Sequence, residues 1–101
     1  MKRIINGKKY DTDTAELVCR RIENEFDNFS IIDEELYLKK TGEFFLYGYG
    51  GAMTDYRMSC GNGNWSGSSK IIPFTKGEAK SFVAEYGSVS TYERLFGEVE
   101  E

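Results

Sequence analysis

The chain is predicted to be an α+β domain, a small antiparallel sheet with a central 34–49 hairpin, packed against two or three short helices. Three observations lead there. Leu36-Tyr37-Leu38 and Phe44-Phe45-Leu46-Tyr47 flank a Thr41-Gly42 turn and are rich in strand-forming side chains. Ala79, Phe82, Val83 and Tyr86 recur at helical spacing behind Thr75 and Glu78, a capping-box pair. The length, 101 residues, suits one core and not two. Residues 1–97 are therefore read as a single domain and 98–101 as a mobile acidic tail.

Each element has its own local reason. Arg3-Ile4-Ile5, Asn6-Gly7 and Lys8-Lys9-Tyr10 read as a short hairpin, because Asn-Gly is the strongest two-residue turn signal. Asp13 followed by Glu16 reads as a helix cap, which predicts a short helix through Leu17, Val18, Arg21 and Ile22 to about Asn24. In the central hairpin, alternation places Leu36 and Leu38 on one face and Tyr37 and Lys39 on the other. The return strand puts Phe44, Leu46 and Gly48 opposite to Phe45, Tyr47 and Tyr49. The Gly- and Asn-rich stretch 50–69 predicts a strand near Tyr56–Ser59 and an exposed loop Cys60–Ser68 with Trp65 at its tip. Ser69–Ile72 reads as a strand interrupted by Pro73. The Thr75-capped helix stops at Gly87, and Ser90 with Glu93 reads as the cap of a last short helix ending at Gly97.

Composition narrows the chemistry. The chain has no histidine, which removes histidine dyads, histidine proton shuttles and His-containing metal sites. Two cysteines, Cys19 and Cys60, make neither a disulfide framework nor an all-thiolate zinc site. No apolar run approaches a membrane span and no signal-peptide core is present, so a cytoplasmic protein with reduced thiols is expected. The glycine runs fit neither GxGxxG nor GxxxxGK[ST]. Asp33, Glu34 and Glu35 are consecutive and cannot share a strand face as a paired acid and base. Cys60 has only Arg57 as a nearby cation, and Asp11, Asp13 and Glu16 depart from calcium-loop spacing. The expectation is a non-enzymatic chain without cofactor or metal.

Charge points instead to binding. The net charge is −4, yet residues 22–38 carry only acids: Glu23, Glu25, Asp27, Asp33, Glu34 and Glu35. Such a patch suits docking on a basic protein surface. Duplex DNA is disfavoured, since Lys2, Arg3, Lys8, Lys9, Arg20 and Arg21 are too sparse for a phosphate footprint. The interface candidates are Glu34, Glu35, Tyr47, Tyr49, Tyr56 and Trp65. A second reading stacks single-stranded bases on Tyr37, Phe45, Tyr47 and Tyr49 beside Lys39. A third is a self-associating domain, because aromatic bulk on both sheet faces is compatible with a homodimer.

Three stretches carry a resemblance: Ile5-Asn6-Gly7-Lys8-Lys9-Tyr10-Asp11-Thr12-Asp13-Thr14-Ala15, Leu36 through Gly51, and Ile72 through Lys80 with Tyr92-Glu93-Arg94-Leu95-Phe96-Gly97. Together they resemble a small domain family of Gram-positive bacteria, their plasmids and their phages. Gly77 stands where that family more often has a helix former. In size and acidity the chain is also similar to anti-CRISPR inhibitors from the same mobile elements. The resemblance implies a protein-binding domain in a bacterial host cell, with a type II CRISPR effector nuclease as the expected partner and no catalytic residue carried over.

Overall fold

Asn6 and Gly7 both take positive φ, 51° and 78°, the two-residue turn that matches strand twist. In the computed structural model, which describes all 101 residues, this turn joins β1 (Lys2–Ile5) to β2 (Lys8–Asp11) in an antiparallel pair. A four-stranded antiparallel sheet follows, ordered β3 (Glu16–Glu23), β4 (Ile32–Leu38), β5 (Phe44–Gly50) and β8 (Ser68–Phe74). Between β5 and β8 a small hairpin forms from β6 (Met58–Gly61) and β7 (Asn64–Ser66). Two helices complete the chain, α1 (Lys76–Tyr86) and α2 (Val89–Phe96). The predicted α+β class stands: the 34–49 hairpin is the centre of the sheet.

The first predicted helix is instead β3. Asp11 rather than Asp13 makes the local hydrogen bond, its Oδ1 accepting from the Asp13 amide at 2.9 Å, and this closes a turn and not a helix. A bulge between Leu17 and Cys19 shifts the register, and both Val18 and Cys19 pack toward the helices. That shift breaks strict alternation and leaves apolar positions spaced as on a helix. What decides for the strand is pairing: Arg20 and Arg21 lie opposite Glu35 and Glu34 on β4.

Three smaller expectations also change. Pro73 does not interrupt its strand; β8 runs through it because β8 is an edge, where a missing N–H costs no ladder bond. The cap of α2 is Ser88, not Ser90. Ser88 is extended (φ −99°, ψ 160°), and its hydroxyl accepts from the Thr91 amide at 3.1 Å. The stretch 60–68 is not a loop: Asn62 and Gly63 repeat the positive-φ turn of Asn6-Gly7, and Trp65 lies on β7 beyond its tip. The Thr75–Glu78 capping box forms as expected, with both reciprocal bonds present.

Register sorts the sheet into two faces. The rungs Glu16/Leu38/Phe44/Phe74, Cys19/Leu36/Leu46/Ile72, Arg21/Glu34/Gly48/Lys70 and Glu23/Ile32/Gly50/Ser68 share one face. Helix α1 packs there with Ala79, Phe82 and Val83 around Leu36, Phe44 and Leu46, and Tyr92, Leu95 and Phe96 of α2 close the margin. The rungs Leu17/Tyr37/Phe45/Pro73, Arg20/Glu35/Tyr47/Ile71 and Ile22/Asp33/Tyr49/Ser69 share the other. Its near half forms a second cluster with Tyr10, where Tyr37 stacks on Phe45 at 5.3 Å and Tyr10 meets Phe45 edge-on at 5.5 Å. Tyr37 and Phe45 thus find their cover inside the chain, while Tyr49 on the far half stays exposed. The molecule is thin, 51 × 34 × 20 Å, and exposes 6728 Å², where mass scaling gives roughly 5,800 Å².

Two glycines give opposite predictions. At Gly48 a Cβ would fall on the Tyr56 hydroxyl and ring. Gly48→Ala should therefore destabilise by about 2 kcal/mol, read as a lower urea midpoint. At Gly77, inside the first turn of α1, the added carbon would meet only the Thr75 Oγ1, at an ordinary 3.9 Å. Gly77→Ala should raise stability by about 0.5–1 kcal/mol in the same assay.

Candidate interaction surface

The six residues singled out from the sequence do not form one patch. Glu34 and Glu35 are neighbours on β4 and so face opposite ways. Glu34 lies on the helix side, where its carboxylate accepts from Arg21 at 2.9 Å and from the Tyr56 hydroxyl. Tyr56 is buried: its ring lies across Gly48 and Gly50 in the space that side chains would otherwise fill. It is a structural residue, unavailable as an interface side chain. Lys70 completes this rung, its Nζ 5.4 Å from the centre of the Tyr56 ring, and Arg21 stacks over Tyr86 at 5.2 Å. A cleft of about 290 Å³ opens beside them, lined by Arg21, Glu34, Asp55, Tyr56, Lys70 and two isoleucines.

The electrostatics of this rung serve packing. Burial pushes the Tyr56 phenol well above the ordinary tyrosine value, and the hydrogen bond to Glu34 adds to it. Burial works against the Arg21 charge, but hydrogen bonds to Glu23 and Glu34 outweigh it and hold the guanidinium protonated. Replacing Glu34 would strand both partners, so it is a poor probe of binding.

On the opposite face Glu35, Tyr47 and Tyr49 do come together. The hairpin β1–β2 covers only the near half of that face, with Tyr47 half-buried at the margin of that cluster and Ile22, Asp33, Glu35 and Tyr49 beyond it. Tyr37 and Phe45 are buried under Tyr10, so the five-residue stacking platform is reduced to Tyr47 and Tyr49. Lys39 is drawn away from it, its Nζ 3.6 Å above the Tyr10 ring. Trp65 is half exposed on β7, beneath the Arg57 guanidinium at 4.8 Å.

The acidic run is also thinner than the sequence suggests. Arg20 grips Asp33 through two bonds of 2.8 and 2.6 Å, and Arg21 binds Glu23 as well as Glu34. Glu25, Asp27 and Glu35 form no salt bridge, though the Arg20 guanidinium lies near enough to Glu25 and Glu35 to feel their charge. Asp27 holds the β3–β4 loop together: the Ser30 hydroxyl and the Phe29 amide bond its carboxylate and keep it below the usual carboxylate range.

That loop contains the residues sequence reasoning passed over. Phe26 is 97% exposed and Phe29 63% exposed, flanked by Glu25 and Asp27. The loop does not hang free. The Met53 amide donates to the Phe29 carbonyl at 2.7 Å and the Gly51 amide to the Ile31 carbonyl at 3.0 Å. Met53, itself 72% exposed, thus joins the two phenyl groups at the same end of the sheet. Two phenylalanines three apart among Glu25, Asp27 and two asparagines were the signal available.

Comparison of the chain with protein-family models, with curated proteins and with solved structures finds no match.

Alkaline pH tests the phenols and the thiol that the fold withdraws from water. Tyr56, Tyr37 and Cys19 all have pKa values raised in the fold, each chiefly by burial. Their neutral forms are favoured only in the native state, so their contribution is complete below the unfolded values. It is lost as pH rises past about 9–10 toward the folded values. The urea midpoint should hold from pH 7 to 8.5 and fall by pH 10.5. Tyr56→Phe should flatten that fall while lowering the midpoint at pH 7, since the Glu34 hydrogen bond is gone.

Proposed function

We propose that the chain is a non-catalytic protein-binding domain that docks through the acidic-aromatic end of its sheet. The observation that carries the reading is the β3–β4 loop, where Phe26 stands exposed between Glu25 and Asp27, and Phe29 stands exposed three residues on, in a hydrogen-bonded turn. Exposing large apolar side chains together is costly for solubility and is a mark of interaction surfaces. Aromatic anchors dominate interface energetics, and a loop already fixed in place gives up less entropy on binding. Tyr49 and Ile22 extend the apolar area onto the open sheet face, with Glu35 beside them.

Unpaired Glu25 and Glu35 around an apolar centre suit a partner with a basic face, of the kind that lines nucleic-acid channels. The resemblance set out above makes the effector nuclease of a type II CRISPR system the partner to try. Binding of the purified nuclease, with and without guide RNA, to immobilised protein is the test. Phe26→Ala with Phe29→Ala should weaken binding at least tenfold while leaving the melting temperature in place. Glu35→Lys should weaken it less, and more at low salt than at high salt. Equal binding by the double variant would remove the loop from the interface, and no binding by the native chain would remove the nuclease as partner.

A further inference from the structure

The fold brings together four lysines that are distant in sequence. Lys8 and Lys9 on β2 meet Lys39 and Lys40 at the β4–β5 turn around a cleft of about 370 Å³. Thr14, Thr41, Asp11 and Glu43 complete the lining, and none of the eight residues is hydrophobic. The two carboxylates leave the cleft cationic. Glu43 binds Lys8 at 2.7 Å and Lys39 at 3.6 Å, while Asp11 is buried with one oxygen turned to the Asp13 amide. Lys9 and Lys40 have no ion-pair partner.

Lys39 is the fixed point of the cleft. It is largely buried, and its ammonium is held over the Tyr10 ring at 3.6 Å. Glu43 shows what geometry the lysines accept, one anionic group reaching Lys8 and Lys39 together. A ligand replacing that bridge must carry more charge than a carboxylate and offer oxygens to several point-like ammonium groups. Clustered phosphates do both. The aromatic ring nearest the cleft, Tyr10, is buried and already faces Lys39, so no surface is left on which a base could stack.

We infer that this cleft is a binding site for clustered phosphates, reading charge and not base identity. It lies at the end of the strands opposite the Phe26–Phe29 loop and is independent of that surface.

The test is fluorescence anisotropy of a labelled 20-mer of deoxythymidine as a function of salt, with thermal shift by inorganic tripolyphosphate as the second arm. The variant is Lys9→Glu with Lys40→Glu, two exposed unpaired positions whose folding is checked by circular dichroism. Lys76→Glu with Lys80→Glu makes the same charge change on α1. The cleft variant should bind the oligonucleotide at least tenfold more weakly, and its log-log salt slope should drop by about 1.4, at about 0.7 per lost phosphate contact. A thermal shift by tripolyphosphate without oligonucleotide binding, lost in the cleft variant, would support the site with a free phosphorylated compound as its ligand. No response to either probe, or equal loss in the α1 variant, would overturn the proposal.

Discussion

The absent side chain at Gly48 is the constraint on which one end of this molecule is organised. It leaves a slot in the middle of the Arg21/Glu34/Gly48/Lys70 rung, and the Tyr56 ring lies in it. The phenol then satisfies Glu34, which would otherwise share only Arg21, while the Ser68 hydroxyl donates to the Tyr56 carbonyl. Segment 51–57 is thereby clamped to the sheet. From that segment the amides of Gly51 and Met53 reach across to the β3–β4 loop. Order in the exposed aromatic loop is in this way inherited from a glycine in a neighbouring strand, through a buried tyrosine.

The two faces of the sheet spend their charged residues differently. Toward the helices, arginine and glutamate are half buried and tie β3 to β4, and Arg94 on α2 reaches Glu16 at 2.6 Å to hold the other end of β3. On the open face Arg20 and Asp33 close on each other at the surface. Exposed pairs of this kind contribute little to stability. Their larger effect is to remove charge from the strands, so that within residues 22–38 only Glu25 and Asp27 of the loop and Glu35 stay outside a salt bridge. Negative charge read along the sequence is therefore not negative charge presented to a partner.

What was legible in the sequence was local. The β4–β5 hairpin, the Thr75–Glu78 cap and the Ala79/Phe82/Val83 stripe depend on residues a few positions apart, and each formed. β3 departs from the helix its spacing predicts because its bulge mimics helical spacing, and its strand identity rests on cross-strand pairs with β4 that no short window contains. The Asn62-Gly63 turn was legible: it is the same dipeptide as Asn6-Gly7, hidden by the surrounding glycines and serines. Opposite facing of Glu34 and Glu35 also followed from alternation alone. Burial of Tyr56 did not, because it depends on a slot opened in a neighbouring strand. The lysine cleft joins two basic pairs that are each unremarkable until the chain folds.

The hairpin β6–β7 stands apart from these dependencies. Every residue from Met58 to Ser66 is exposed, and its turn is closed by its own Asn62-Gly63 pair. It makes no contribution to either apolar cluster. Chain length there is free to vary without disturbing the sheet, since loop entropy grows slowly with added residues. This is where the fold would accept a grafted peptide, and where related chains could diverge most in length while keeping the same core.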